Sequence, residues 1–233
     1  MTDTSHDLLL FDLDGTLSDP ALGIGRSIEY ALQCHGYPPL PPSQLPAWIG
    51  PPLDVGFRTL AGAVSDADVR ALVASYRERY AALGYAENVL YPGVAEALAR
   101  LTADGWPLAV CTSKRADFAE RILAHFGLRQ HFRFVDGGDI GIHKTQQIAQ
   151  LRAQGLVSTA SVMIGDRDVD IVAAHRNGLA ACGVLWGYGG REELSALQPR
   201  YLLACPTTLA SPSTWPGFPQ APSHPDSFPQ IQQ

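Results

Sequence analysis

Two carboxylates set two residues apart, Asp12 and Asp14, follow the apolar run Leu8-Leu9-Leu10-Phe11. A run of this length without helical spacing reads as a strand buried on both faces, so the aspartates fall where it reaches water. Side chains of extended backbone alternate with period two, which starts Asp12 and Asp14 on one side; Gly15 then lets the chain turn away. Carboxylates brought together repel, and a divalent cation or a shared proton relieves that repulsion. A second acidic group, Ile164-Gly165-Asp166-Arg167-Asp168-Val169-Asp170, stands at a strand end entering a helix. There Asp166 can coordinate magnesium directly, and Asp170, one helical turn on, can bind through water or orient a ligand. Asp168 is explained by first-turn charge on the following helix.

Positive charge is carried by 15 arginines and only two lysines, Lys114 and Lys144. A lysine retained in such a chain suggests a place where a compact ammonium is needed and a planar guanidinium would not fit. Thr112-Ser113 follows an apolar strand, and a hydroxyl there, with adjacent backbone N–H groups, can hold phosphoryl oxygens.

The elements that must position these groups alternate between two periods. From residue 17 to about 88 the spacing predicts helices and no strand: Ile24, Ile28, Ala31 and Leu32 share one face after Asp19 and Pro20, and Val69, Leu72, Val73, Tyr76 and Tyr80 share another after a Ser65 cap. Between them the proline-rich passage from Tyr37 to Pro52 allows only short helices. Beyond residue 89 strand and helix alternate, the mark of a parallel sheet with crossover helices. The expected fold is α/β: a Rossmann-like parallel sheet core with helices on both faces, formed by 1–16 and 89–205, and an inserted all-helical cap over 17–88. From 206 to 233 Pro, Ser, Thr and Gln dominate and Asp226 is the single charge, which predicts a disordered tail.

A length of 233 residues allows a substantial core, and a formal charge of -6 argues against nucleic acid as a partner while leaving room for a small anionic substrate. No stretch has the length of a membrane span, and the opening residues lack the basic and apolar regions of a signal peptide, so a cytoplasmic protein is expected. The cysteines 34, 111, 182 and 205 are scattered, with no disulfide framework and no zinc spacing.

Asp12-Leu13-Asp14-Gly15-Thr16 at a strand end, followed in order by Thr112, Lys144 and Gly165-Asp166 with Asp170, resembles the haloacid dehalogenase superfamily over residues 7 to 203. The resemblance implies a magnesium-dependent phosphomonoesterase acting on a small phosphorylated metabolite. It assigns the nucleophile to Asp12, the general acid/base to Asp14, and phosphate binding to Thr112, Ser113 and Lys144. It also implies magnesium ligation by Asp12, the Asp14 carbonyl and Asp166, with Asp170 behind them. The ammonium of Lys144 would neutralise nucleophile and phosphoryl oxygens together. Dehalogenases lack an aspartate at the position of Asp14. Phosphonate-cleaving members use a cap lysine, and residues 17–88 contain none.

Trp48-Ile49-Gly50-Pro51-Pro52-Leu53 and Asn177-Gly178 are similar to the phosphoglycolate phosphatase-like branch. Thr112-Ser113-Lys114, Gly165-Asp166-Arg167 and Gly187-Tyr188-Gly189 with Glu192-Glu193-Leu194 lean towards members described as 5′-nucleotidases, although Arg115 stands where those often have proline. Arg26, Ile49, Gly50 and Pro51 are the candidates for substrate choice. The resemblance thus implies a phosphoglycolate phosphatase-like enzyme, with a 5′-nucleotidase acting on nucleoside monophosphates, a phosphosugar mutase and a catalytically idle binding protein on the same scaffold as alternatives.

Overall fold

The computed structural model describes residues 7–50, 53–61, 65–138, 141–212 and 215. Strand β1 (Leu9–Phe11) is fully buried and ends where Asp12 begins the polar site. Gly15 then turns the chain at φ 81°, a conformation at ease only for glycine, and a Cβ there would lie 2.2 Å from Asp166 Oδ2. Strand β2 (Ser18–Asp19) leads into helix α1 (Ala21–Cys34), whose Ala21 N–H donates to Asp19 Oδ1 at 2.9 Å. Asp19 thus serves as the cap acceptor, with the helix starting one residue later than its sequence suggests.

Pro42–Trp48 winds as a 3-10 helix, since the prolines withhold donors from anything longer. Helices α2 (Leu53–Ala61) and α3 (Asp66–Ala82) follow, the second opened by a capping box between Ser65 and Asp68. Strand β3 (Val89–Leu90) returns antiparallel to β2. The expectation of helices and no strand from residue 17 to about 88 is corrected at Ser18–Asp19, which pairs with Val89–Leu90 just beyond that range. The two passages joining cap and core run side by side, and pairing satisfies their backbone groups. Ile28, Leu72, Phe57 and Tyr80 are the fully buried centre of the cap, and Phe118 from the core joins their cluster.

The core continues with α4 (Val94–Ala103), β4 (Leu108–Thr112), α5 (Ala116–His125), β5 (Phe132–Gly137), α6 (Lys144–Ala153), β6 (Val162–Gly165), α7 (Asp168–Arg176), β7 (Ala180–Val184), α8 (Arg191–Ala196) and β8 (Tyr201–Leu203). Its sheet is six-stranded and parallel, in the order β5-β4-β1-β6-β7-β8. Alternation divides β1 between two apolar layers, Leu9 and Phe11 on one face and Leu10 on the other. The chain runs outward from β1 through β4 and β5, then crosses back to β6. The crevice beyond the carboxyl ends of β1, β4 and β6 is therefore the topological switch point at which such sheets bind ligands.

Part of the segment expected to be disordered is ordered. Pro206–Ala210 forms a 3-10 helix, Leu209 is fully buried, and Trp215 packs on Tyr201 with ring centroids 5.3 Å apart. Its indole N–H donates to Thr208 O at 2.9 Å. Composition argues against a core made by such a segment on its own. These two apolar side chains instead complete a core that already exists, joining Val94, Leu98 and Tyr201. Residues 216–233 lie outside the described residues.

Candidate active site

The end of β1 holds the first carboxylate in place through its backbone. Asp12 N donates to Ile164 O at 2.8 Å, which continues the β1–β6 ladder, and Asp12 Oδ1 accepts from Leu13 N at 2.8 Å. The same oxygen lies 3.0 Å from Lys144 Nζ, and Lys144 also donates to Asp170 Oδ1 in a short contact. Lys144 is the first residue of α6, the end at which a helix dipole disfavours a cation. Burial alone would lower its pKa, but Asp12 and Asp170 outweigh burial and hold the ammonium above the usual lysine range. Its charge is kept at a position chosen for the site rather than for the helix.

Asp166, at the start of the loop after β6, is fully buried. It accepts from Thr16 Oγ1 at 3.2 Å and from the N–H of Tyr188 at 2.8 Å. Burial, followed by the charges of Asp170 and Asp12, pushes its carboxyl up to about 8. Asp14 turns the other way, with Oδ2 2.9 Å from Lys114 Nζ, while its Oδ1 is buried without a hydrogen-bond partner among the described residues. Burial raises the Asp14 carboxyl above the ordinary aspartate range against the pull of Lys114.

The four acidic side chains at 12, 14, 166 and 170 thus outnumber the two ammoniums at 114 and 144 that they meet. Oxygens of Asp12, Asp166 and Asp170 come within 4.8 Å of one another. A hard divalent cation, bound by a few carboxylate oxygens, is what such a group fits in charge and in ligand chemistry. The residues read from sequence as Asp12, Asp14, Lys144 and Asp166 are brought together. Asp170 lies directly among the acids.

Two groups at this centre were missed by sequence reasoning as site residues. Lys114 stands out in the sequence by its rarity and as the end of Thr112-Ser113-Lys114, neither of which gives it a partner. Gly187-Tyr188-Gly189 was noticed only as a family feature, with no chemistry attached. Its glycines let the loop lie against the acidic centre: a Cβ on Gly187 would fall 2.3 Å from Gly15 O, and one on Gly189 1.9 Å from Asp166 O. That approach delivers the Tyr188 N–H to Asp166, while the Tyr188 hydroxyl donates to Asp19 in a short contact at the entry to the cap.

Above the acids lies a cavity of about 480 Å³ between core and cap. Thr112 and Ser113 line its floor, and Trp48, Tyr76, Tyr80 and Phe118 give it aromatic walls. Tyr76 and Tyr80 stack at 5.5 Å, and Tyr80 meets Phe118 edge-on at 5.1 Å. Ile49 and Gly50 line the cavity, and Arg167 reaches across from the core to the Ile49 carbonyl at 3.0 Å. Arg26 does not. It pairs with Glu87 at 2.8 Å and is half exposed outside the cavity, because Glu87 at the foot of the cap draws both Arg26 and Arg79. Pro51 lies outside the described residues. No helix among the described residues is long and apolar enough to cross a membrane.

A parallel sheet that gathers buried acids and ammoniums at its switch point, beneath a helical insertion, defines an enzyme centre built to handle anionic groups. Residues 9–184 match the haloacid dehalogenase-like hydrolase family, and the chain belongs to it. It is 40% identical over 200 residues to a 5′-nucleotidase of Pseudomonas aeruginosa, covering 84% of this chain and 90% of that protein. It is 34% identical over 204 residues to a phosphoglycolate phosphatase of Yersinia pestis, covering 83% and 87%. A haloacid dehalogenase-like family hydrolase from Streptococcus pneumoniae superposes with a TM-score of 0.81 at 28% identity, over 91% of this chain and 99% of that one. Within the family, the chain is a phosphatase.

Proposed function

We propose that this chain is a magnesium-dependent phosphomonoesterase that works through an aspartyl-phosphate on Asp12, with 17–88 acting as a cap over a core of 1–16 and 89–205. The observation that carries the reading is the convergence of Asp12, Asp14, Lys144 and Asp166 beyond the end of β1. Asp12, Asp166 and the Asp14 carbonyl would hold the ion, with Asp170 behind them, and when bound it screens the repulsion between carboxylate and phosphoryl oxygens. Thr112, Ser113 and the Lys144 ammonium take the phosphoryl oxygens. Asp12 forms a bond to phosphorus as the bond to the leaving oxygen breaks, and Asp14 gives that oxygen its proton. Asp14, now a carboxylate, takes a proton from the water that attacks phosphorus. The aspartyl link then opens, releasing inorganic phosphate and restoring Asp12.

The cavity supports a leaving group larger than the two-carbon acid of phosphoglycolate. Its volume of about 480 Å³ and its walls of Trp48, Tyr76 and Phe118 suit a planar, mostly uncharged body such as a nucleoside. Arg26, the candidate partner for a substrate carboxylate, is engaged elsewhere. A phosphate-release screen over nucleoside 5′-monophosphates, phosphoglycolate and sugar phosphates tests this. Nucleotides should exceed phosphoglycolate in kcat/KM by at least about tenfold. The reverse order would return the chain to the phosphoglycolate reading, and phosphate transfer between sugar positions without release would make it a mutase.

Magnesium should also be visible in stability. The folded chain keeps the Asp166 proton up to about pH 8, whereas the unfolded chain loses it in the ordinary aspartate range. The folded state therefore binds more protons across that window, and metal-free stability falls as pH rises through it. Magnesium chloride should raise the unfolding midpoint at pH 8 by several degrees, and by less at pH 6, where the proton already relieves the repulsion. A midpoint indifferent to magnesium at both pH values would count against a metal at this centre.

A further inference from the structure

Lys144 is buried and the side chain of Lys114 is only 8% exposed, and in this arginine-rich chain each of the two lysines is spent on a different member of the Asp12/Asp14 pair. Lys144 is accounted for above; Lys114 is not. Its ammonium lies 2.9 Å from Asp14 Oδ2, 2.9 Å from the hydroxyl of Tyr80, and 4.6 Å from the centre of the Tyr80 ring. Tyr80 belongs to α3 of the cap, while Lys114 and Asp14 belong to core loops after β4 and β1. One cation therefore joins cap to core at the carboxylate cast as acid and base. Taking a charge this far out of water is costly unless its partners are well placed, and here they are an anion, a hydroxyl oxygen and a π face.

From this geometry we propose that Lys114 is a positioning residue for proton transfer, and that Tyr80 ties its position to the cap. Lys114, held by the Tyr80 hydroxyl on one side, fixes Oδ2 of Asp14 on the other and so sets the orientation of that carboxyl beneath the cavity. In the first step the Asp14 carboxyl gives its proton to the leaving oxygen as the P–O bond breaks and the oxygen keeps the bonding electron pair. The inference rests on the phosphatase reading above, which assigns proton transfer to Asp14.

Leaving groups provide the test. A p-nitrophenolate departs as a stable anion and needs little protonation, whereas an alkoxide needs a proton at once. Lys114→Met should lower kcat/KM for the alkyl phosphate turned over fastest in the screen above by about 100-fold, and for p-nitrophenyl phosphate by less than about fivefold. Tyr80→Phe, which removes a single oxygen, should act in the same sense by about fivefold, and adding it to Lys114→Met should cost nothing further. The rise of the unfolding midpoint with magnesium should be the same in Lys114→Met as in the wild type. Equal losses on both substrates, or none, would overturn the inference and leave the phosphatase reading standing. A wild-type chain that releases phosphate from neither substrate would overturn both. If Lys114→Met fails to fold, the leaving-group ratio of Tyr80→Phe decides.

Discussion

Asp12→Asn should abolish phosphate release, with kcat lower by about 10⁴-fold or more, while the protein melts no lower than the wild type. The carboxamide has the same shape and keeps an oxygen for the Leu13 N–H, so the turn after β1 is held. It cannot form an acyl-phosphate, and nothing else at the centre replaces it, because Asp166 is committed to Thr16 and Tyr188 and Asp170 to Lys144. The Lys144 ammonium keeps Asp170 as its partner and an amide oxygen in place of the Asp12 carboxylate, and Asp166 and Asp170 lose a neighbouring negative charge, so metal-free stability should hold. Phosphate-release kinetics beside a thermal melt give both answers, and turnover within tenfold of the wild type would exclude Asp12 as nucleophile.

The second large effect belongs to Lys144, where activity and stability should fall together. Lys144→Met strands Asp12 and Asp170 without their cation in a buried place, at a cost of about 3–5 kcal/mol, and should lower turnover by about 10³-fold. Lys144→Arg keeps the charge but must fit a planar fork where lysine is only 3% exposed, so it should recover little activity. Adding Asp170→Asn to Lys144→Met should restore much of the stability and none of the turnover, which separates the structural share of this ammonium from its share in catalysis. Denaturant unfolding and phosphate release on the three variants decide it. Near-normal turnover in Lys144→Arg would contradict the tight enclosure on which the argument depends.

What could be read beforehand was whatever depends on near neighbours in sequence. The apolar runs that end at Asp12, Thr112 and Gly165 identify strand ends by period alone. In a parallel sheet strand ends gather on one side, which brings Asp12, Asp14 and Asp166 together, while the place of Lys144 beside them was implied only by the resemblance to the family. The proline-rich passage announced its short 3-10 helix, and Ser65 its capping box. The scarcity of lysine marked both ammoniums of the site, although it could give no partner to Lys114.

What remained hidden depends on residues far apart in sequence. Tyr80 reaches Lys114 because the cap lays α3 over the core, and Arg26 turns to Glu87 because the foot of the cap brings them together. Leu209 and Trp215 are ordered by a hydrophobic layer that other elements build, which no local composition can foresee. The sequence by itself determined the alternation of elements and the acids that collect beyond β1, since these follow from backbone periodicity and residue type, and its ordered motifs carried the resemblance to the family. Only the tertiary structure decided which ammonium meets which carboxylate, how large the cavity is and which arginine stays out of it, because side-chain pairing over such separations is set by packing.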